Sequence, residues 1–475
     1  MTDKPRQQTY WEFHDQIMEL SRRSRRGRDG DEVVEADLFE EGSRPEAALD
    51  RQKALASESL IEAICRSQNL SRACQRVVSN DGSAGVDGMP AGELKGWLGE
   101  HEAELVKQLL EGRYQPTDVR GLEIPKGSGK GMRQLGIPTV IDRLVQQAIL
   151  QVLCPLIDPS FSQSSYGFRP GRGAHDALRQ AKEHVAAGLA WVVDLDLEKF
   201  FDRVNHDVLM HRLGLRVRDK RVLQLIGRFL RAGMMQCGVR VKREEGTPQG
   251  GPLSPLLANV LLDDLDKELE KRGHRFCRYA DDCNIYVGSK AAGERVMASV
   301  TRFLEQRLRL RVNRQKSAVA LTWERKFLGY RLLAGGELGI APESLKRAKE
   351  RVVQLTQRNR GVSVQQVVKE LNQFLNGWVV YFHLARCRTH LEALDQWVRR
   401  KVRCYRLKQR KRSKAIADFL MGLGVPARRA WLTALSGKGW WRLSGSPPAQ
   451  EGMSIAWFHR LGLVNISQRY AKLSH

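Results

Sequence analysis

The chain has 475 residues, 42% of them hydrophobic and 28% charged, which is enough for two or three domains with a substantial core. Its 79 Lys and Arg outnumber its 54 Asp and Glu, a formal net charge of +25, and that excess points to a polyanionic partner because each neutralised phosphate releases condensed counterions. No uninterrupted run of about 18 apolar residues stands ready to span a bilayer, Met1 to Glu19 lacks the apolar stretch of a signal peptide, and the eight cysteines contain no Cys-x-x-Cys pair. These features argue against a membrane protein, a disulfide framework and a zinc module, and for a soluble, cytoplasmic protein.

Residues 1–55 read as an extension. A basic cluster (Arg22, Arg23, Arg25, Arg26, Arg28) is followed by seven acids from Asp29 to Glu41, and charge blocks with few apolar residues seldom fold alone. A flexible arm and an RNA-touching arm are both open. Leu60, Ile61, Ile64 and Cys65 begin a helical pattern, and Val86-Asp87-Gly88 reads as a turn. Leu122 to Pro125 and Leu135 to Pro138 flank a glycine-rich loop, which predicts a hairpin. Ile141 to Leu153 predicts a helix, Trp191 to Leu197 a strand, and Asp219 to Arg231 another helix. Phe276 to Val287 has two apolar arms around a polar centre, the pattern of a second hairpin.

From about residue 343 the pattern turns helical. Leu371, Phe374, Leu375, Trp378 and Phe382 share one face, as do Leu391, Leu394, Trp397 or Val398, and Tyr405. Ten basic residues and no acid lie between Arg399 and Lys414. A solvated face is the plain reading of a charge run, but like charges four apart destabilise a helix unless a polyanion compensates them. Nucleic-acid contact is therefore expected. The last sixty residues, with Trp431, Trp440, Trp441 and Trp457 among Gly, Ser and Pro, suggest a small separate subdomain.

The chemistry is expected at three carboxylates. Asp196 ends the apolar strand, and Tyr279-Ala280-Asp281-Asp282 puts two adjacent acids at the hairpin tip. Adjacent carboxylates repel unless cations compensate them. A pair of Mg²⁺ ions would do so, one activating a primer 3′-hydroxyl and the other holding the triphosphate and leaving pyrophosphate.

Motifs in fixed order sharpen this reading. Gly85-Val86-Asp87-Gly88 comes first, then Ile124-Pro125-Lys126 with Arg133-Gln134-Leu135-Gly136-Ile137-Pro138, then Ser165-Tyr166-Gly167-Phe168-Arg169-Pro170. The Asp196 strand, Thr247-Pro248-Gln249-Gly250-Gly251-Pro252, the Tyr279 hairpin, Phe327-Leu328-Gly329-Tyr330 and the Leu371 to Trp378 helix follow. In this order the chain resembles bacterial group II intron-encoded reverse transcriptases/maturases, over roughly residues 60 to 475. The resemblance implies an α+β right-hand polymerase. Fingers and palm would occupy residues 56–340, a helical thumb (maturase domain X) 341–415, and a DNA-binding-like segment 416–475.

The same resemblance implies residue roles. Asp196 and Asp281 would be the principal metal ligands, with Asp282 the third acid. Phe201 would gate the ribose 2′-hydroxyl, or else pack in the core beside Phe200. Lys126 and Arg133 would grip the dNTP triphosphate unless they are mobile surface cations, and Gln249 would contact the incoming nucleotide. Arg169 would hold template or neighbouring loops. Lys316 and the Phe327–Tyr330 segment, Gly329 included, would support the primer end, core packing being the other reading of that segment. Arg399, Arg400, Lys401 and Arg403 would bind RNA. Asp194 remains a weaker metal candidate, and the histidines receive no role. The implied partners are a group II intron RNA, an RNA template with DNA primer, and target DNA. The tail after Lys414 has no cysteine, unlike the Cys- and His-containing nuclease module of many relatives, so target nicking by this chain is not expected. Two rival functions stay open, an RNA-binding splicing factor without polymerase use and a domesticated reverse transcriptase in phage defence.

Overall fold

A computed structural model describes residues 59–125, 132–236, 239–241 and 243–473. The N-terminal extension and the tip of the first predicted hairpin, including Lys126, lie outside the described residues. The chain divides into two compact units. The first runs up to Gln180 and resumes at Trp191–Ala320; the second comprises Ala181–Ala190 and Leu321–His475.

In the first unit, helix α1 (Ser67–Asn80) precedes a finger sheet built from β1 (Val119–Pro125) and β2 (Met132–Ile137). These pair antiparallel from Arg120↔Ile137 to Pro125↔Met132, so the first hairpin forms as expected. Helix α2 (Val140–Ile157) follows, started by Thr139, whose side chain accepts from the Asp142 amide. By length and composition, Val140–Ser160 is apolar enough to cross a membrane, which corrects the expectation from uninterrupted runs. Its polar residues explain the difference. Asp142, Arg143, Gln146 and Gln147 interrupt the apolar pattern yet are themselves buried, and Leu144, Val145, Ala148 and Ile149 join the core. It is the core helix of this unit.

The palm sheet uses β3 (Trp191–Leu195). The finger sheet gains β4 (Met234–Gln236) and β5 (Val239–Val241), in the order β2-β1-β4-β5. Between β3 and β4 lies the predicted helix, Lys220–Arg231, capped by Asp219. Helix α3 (Ser254–Lys271), strands β6 (Arg275–Tyr279) and β7 (Asp282–Val287), helix α4 (Lys290–Arg307) and strand β8 (Ala318–Leu321) complete the palm, whose sheet order is β6-β7-β3-β8. β3 stops at Leu195, two residues before the predicted end, because Leu197 leaves the ladder and bridges Val312 instead. Val193, Leu195, Ile285, Leu257, Leu261 and Val300 seal this sheet against its helices.

In the second unit, β9 (Tyr330–Leu332) pairs antiparallel with β10 (Leu338–Ile340). Helices α5 (Pro342–Leu355), α6 (Val364–Phe382), α7 (Arg388–Arg410) and α8 (Ser413–Met421) follow. The predicted stripes are buried at Leu371, Leu375, Trp378 and Phe382, and at Leu391, Leu394, Val398 and Tyr405. Phe374 and Trp397 are only half-buried, so Val398 takes the inner position.

Residues 416–475, expected as a segment of their own, fold onto α6 and α7. Asp395 accepts from the Ile466 amide at 2.9 Å, the Ser467 amide at 2.9 Å and Ser467 Oγ at 2.8 Å, capping the helix Ile466–Ala471. Asn372 donates to the Gly462 carbonyl at 2.6 Å and accepts from the Val464 amide at 2.9 Å.

Candidate active site

The palm register brings the three acids to one end of one sheet. The pairing of β3 with β7 ends at Leu195↔Cys283. Asp196 is the next residue on one strand and Asp282 the preceding residue on the other, so continuing the register sets them opposite each other. β6 and β7 close on the pair Tyr279↔Asp282, which leaves a two-residue turn of Ala280 and Asp281. A period-two pattern cannot be kept through such a turn, and this is why two consecutive acids share one end. All three are half-buried.

Asp196 is held by the segment after α4. Its amide donates to Ser317 Oγ at 3.0 Å, its carbonyl accepts from the Asn313 amide at 2.8 Å, and its Oδ2 pairs with Lys316 Nζ at 3.3 Å. Lys316, expected at the primer end, is thus the cation beside the first acid. Among the described residues no three His, Cys, Asp or Glu side chains converge closely enough to hold a metal ion. The donor set is still the kind a hard divalent cation takes, all carboxylate oxygen. Asp194, on the same strand, is buried opposite Asn284.

The loop Thr247 to Gly251 joins two elements expected to meet a nucleotide. The Thr247 amide donates to the Phe201 carbonyl at 2.7 Å, and the Gly136 amide, on β2, donates to the Gln249 carbonyl at 2.9 Å. Two glycines permit this approach. A Cβ on Gly250 would stand 2.8 Å from the Gly136 carbonyl oxygen, at a φ of +133°, and one on Gly251 would stand 2.4 Å from Gln146 Oε1. Phe200 is core, while Phe201 is half-buried and meets it edge-on at 5.1 Å. Arg133 lies on β2 opposite Ile124. Burial has lowered the pKa of His206, whose Nε2 lies 2.7 Å from the Gly246 carbonyl oxygen, so it packs inside the unit.

Arg169 is placed as a holder of loops. Its Nε donates to Asp158 Oδ1 at 2.8 Å, Nη1 to the Ser162 and Ser165 carbonyls at 2.6 and 2.9 Å, and Nη2 to the Asp158 carbonyl at 2.9 Å. The side chain is 2% exposed. A template contact would therefore require it to leave these partners. Gly329 lies in the second unit at φ +81°, its carbonyl accepting from Ser344 Oγ at 3.0 Å and the Ala341 amide at 3.1 Å.

Cations of the basic helix α7 lie against aromatic rings of the chain itself. Arg399, Arg400, Lys401 and Arg403 are all half-buried. Arg400 stacks over Trp441 at 4.1 Å, Lys401 lies 5.2 Å from Trp397 and 5.0 Å from Trp441, and Arg403 lies 5.5 Å from Phe458. Further along, Lys408 meets Trp440 at 5.2 Å and Arg410 meets Phe419 at 4.5 Å. Burial, then the charges of Arg399 and Arg400, push Arg403 down to about 10. Repulsion along the helix is thus relieved by aromatic faces, a partner that the charge pattern alone did not supply.

Sequence reasoning passed over Ser317 and Asn313, which hold Asp196, and Arg278, Asp266 and Asn259, which lie behind the Tyr279 hairpin. An arginine inside the apolar run Phe276-Cys277-Arg278-Tyr279 was the available signal.

Comparison with known proteins follows the same division. Residues 124–332 match the family described as Reverse transcriptase (RNA-dependent DNA polymerase), and residues 345–420 match Group II intron, maturase-specific domain. Protein YkfC of Escherichia coli (strain K12) is 33% identical over 320 residues, covering 59% of this chain and 84% of that protein. Group II intron-encoded protein LtrA of Lactococcus lactis subsp. cremoris is 40% identical over 195 residues, covering 41% of this chain but only 32% of that protein. A chain of the solved Partial Cas6-RT-Cas1--Cas2 complex is 27% identical, covering 52% of this chain and 42% of that chain, with a TM-score of 0.35. On the coverage of YkfC and the two family matches in order, the chain belongs to the bacterial group II intron reverse transcriptase/maturase family and is an RNA-directed DNA polymerase.

Proposed function

We propose that this polymerase acts at Asp196, Asp281 and Asp282, and that the chain also binds a group II intron RNA, assists its splicing and supports mobility by target-primed reverse transcription. One observation carries the polymerase site, the register that sets Asp196 opposite Asp282 beside a two-residue turn containing Asp281. Reverse transcriptases use divalent cations and dNTPs; here the three carboxylates would hold two Mg²⁺, whose chemistry is activation of a 3′-hydroxyl and stabilisation of the leaving pyrophosphate. The remaining work falls to the chain's own residues. Lys316 balances charge at Asp196 and stands at the primer end. Phe201, held by Thr247, excludes a ribose 2′-hydroxyl; Gln249, Arg133 and Lys126 orient the nucleotide.

Intron RNA would meet the aromatic-backed cations of α7. A folded RNA offers shape and phosphate rather than a readable major groove, so a broad basic face suits it. Template RNA with DNA primer, and target DNA, are the other proposed nucleic-acid partners, and the cytoplasm is the proposed location.

Primer extension on an RNA template, with Mg²⁺ and dNTPs, tests the site. Asp281→Ala should abolish extension while leaving RNA binding and splicing assistance largely intact. Extension at the wild-type rate would overturn the assignment. Sequencing of RNA that copurifies with the protein tests the partner: a group II intron is expected, and its absence from the bound fraction would remove the maturase reading.

A further inference from the structure

The buried end of β6 carries a charge that no substrate can reach. Arg278 is 0% exposed, and an unpaired guanidinium in such a place would cost many kcal/mol. Every branch of it is engaged. Nε donates to Asp266 Oδ1 at 2.7 Å, and Nη2 donates to Asp266 Oδ2 and, at 2.8 Å, to Ser165 Oγ. Nη1 donates to Asn259 Oδ1 at 3.0 Å and to the Ala280 carbonyl at 2.9 Å. Asp266 and Asn259 both come from α3, about two helix turns apart, so the guanidinium ties that helix to the turn between β6 and β7.

The same turn is braced from its other side. The Arg278 amide donates to the Ser164 carbonyl at 2.8 Å, the Tyr166 amide donates to the Arg278 carbonyl at 2.9 Å, and Asn259 Nδ2 donates to the Gly167 carbonyl at 2.9 Å. A Cβ on Gly167 would stand 2.2 Å from the Ala280 amide nitrogen. Ala280 itself has φ +59°, a conformation that costs an L-residue energy and persists only when its surroundings impose it. A buried ion pair is a weak source of stability beside apolar packing of similar volume. What this one supplies is a fixed place for a strained turn.

We propose that Arg278, held by Asp266 and Asn259, is a positioning residue that sets the Ala280–Asp281 turn, and thereby the stance of Asp281 and Asp282 towards Asp196. It acts through the Ala280 carbonyl and touches no reacting atom. The proposal rests on the reading that these three acids are the catalytic ones.

Two variants separate positioning from mere stability. Gly167→Ala leaves the guanidinium network in place and pushes on the turn; Asn259→Ala removes one acceptor of Arg278 and the tie to Gly167. Each is compared with wild type and with Asp281→Asn for kcat, dNTP KM, thermal melting and Mn²⁺ affinity, the last by electron paramagnetic resonance without nucleotides. Displacement of a reacting group by about 1 Å costs roughly a hundredfold in rate, so kcat should fall by about 10- to 100-fold. Mn²⁺ affinity should weaken with it, with dNTP KM little changed and the protein still folded. Folded variants with wild-type kcat and Mn²⁺ affinity, beside an inactive Asp281→Asn, would overturn the proposal. An active Asp281→Asn would instead overturn the catalytic reading beneath it. Should Gly167→Ala fail to fold, Asn259→Ala decides by the same measurements.

Discussion

Two sets of cations in this protein are held in opposite ways. In the first unit Arg278 is enclosed by a carboxylate and three further oxygens, with Asp266 equally buried. Its charge is cancelled and its geometry fixed. In the second unit Arg400, Lys401 and Lys408 lie against Trp441, Trp397 and Trp440. Aromatic quadrupoles steady these cations without neutralising them. The same residue class thus positions protein atoms in one place and keeps a net positive face in the other. What surrounds a cation, rather than its type, decides whether a polyanion can still use it.

The largest expected effect breaks the first arrangement. Asp266→Asn leaves Arg278 buried without its counter-charge, and should lower unfolding stability by about 3–5 kcal/mol, measured by denaturant titration. A loss under about 1 kcal/mol would show that Arg278 is not dependent on the pair.

A second variant sharpens the comparison with an acid whose partners among the described residues are neutral donors. Asp142 is buried and accepts from Tyr114 Oη at 2.8 Å, Thr139 Oγ1 at 2.8 Å and the Thr117 amide at 3.1 Å. Burial pushes its carboxyl up to about 6, against the pull of those donors. A folded-state value above the unfolded 3.8 means that the native protein binds the proton more tightly. Stability from this group therefore rises as pH falls from about 6 towards 4, and its cost is complete above 6. Relative to Asp142→Asn, the wild type should gain on the order of 3 kcal/mol between pH 7 and pH 4. Parallel stability curves for the two proteins would remove the assignment.

Smaller effects are expected on α7. Trp441→Ala should cost about 1 kcal/mol of stability and leave polymerisation unchanged, with thermal melting as the check. Replacing Arg399, Arg400 and Lys401 by Gln should change stability least. It should flatten the salt dependence of RNA binding by roughly one unit of log–log slope for each phosphate that is no longer neutralised. An unchanged slope would mean that the aromatic stacks occupy these cations fully.

The sequence by itself determined the acids, the hairpins and the helical stripes, because these are local. Alternation around Phe276 to Val287, and apolar spacing in Leu371 to Phe382, depend only on neighbours along the chain. The family resemblance added Phe201 and Gln249 as separate candidates beside Asp196. That Phe201 and β2 are joined through the loop containing Gln249 is a property of backbone hydrogen bonds between distant segments. Likewise Arg169, open between template and loops, is placed by carbonyls of Asp158, Ser162 and Ser165. Two outcomes only the tertiary structure decided. A charge run expected to meet nucleic acid is backed by aromatic rings from its own helix and from segments well beyond it, and an arginine in an apolar strand meets its carboxylate twelve residues earlier on a helix. Both turn on which groups compensate a charge at a distance along the chain, and Coulomb and packing energies depend on separation in space.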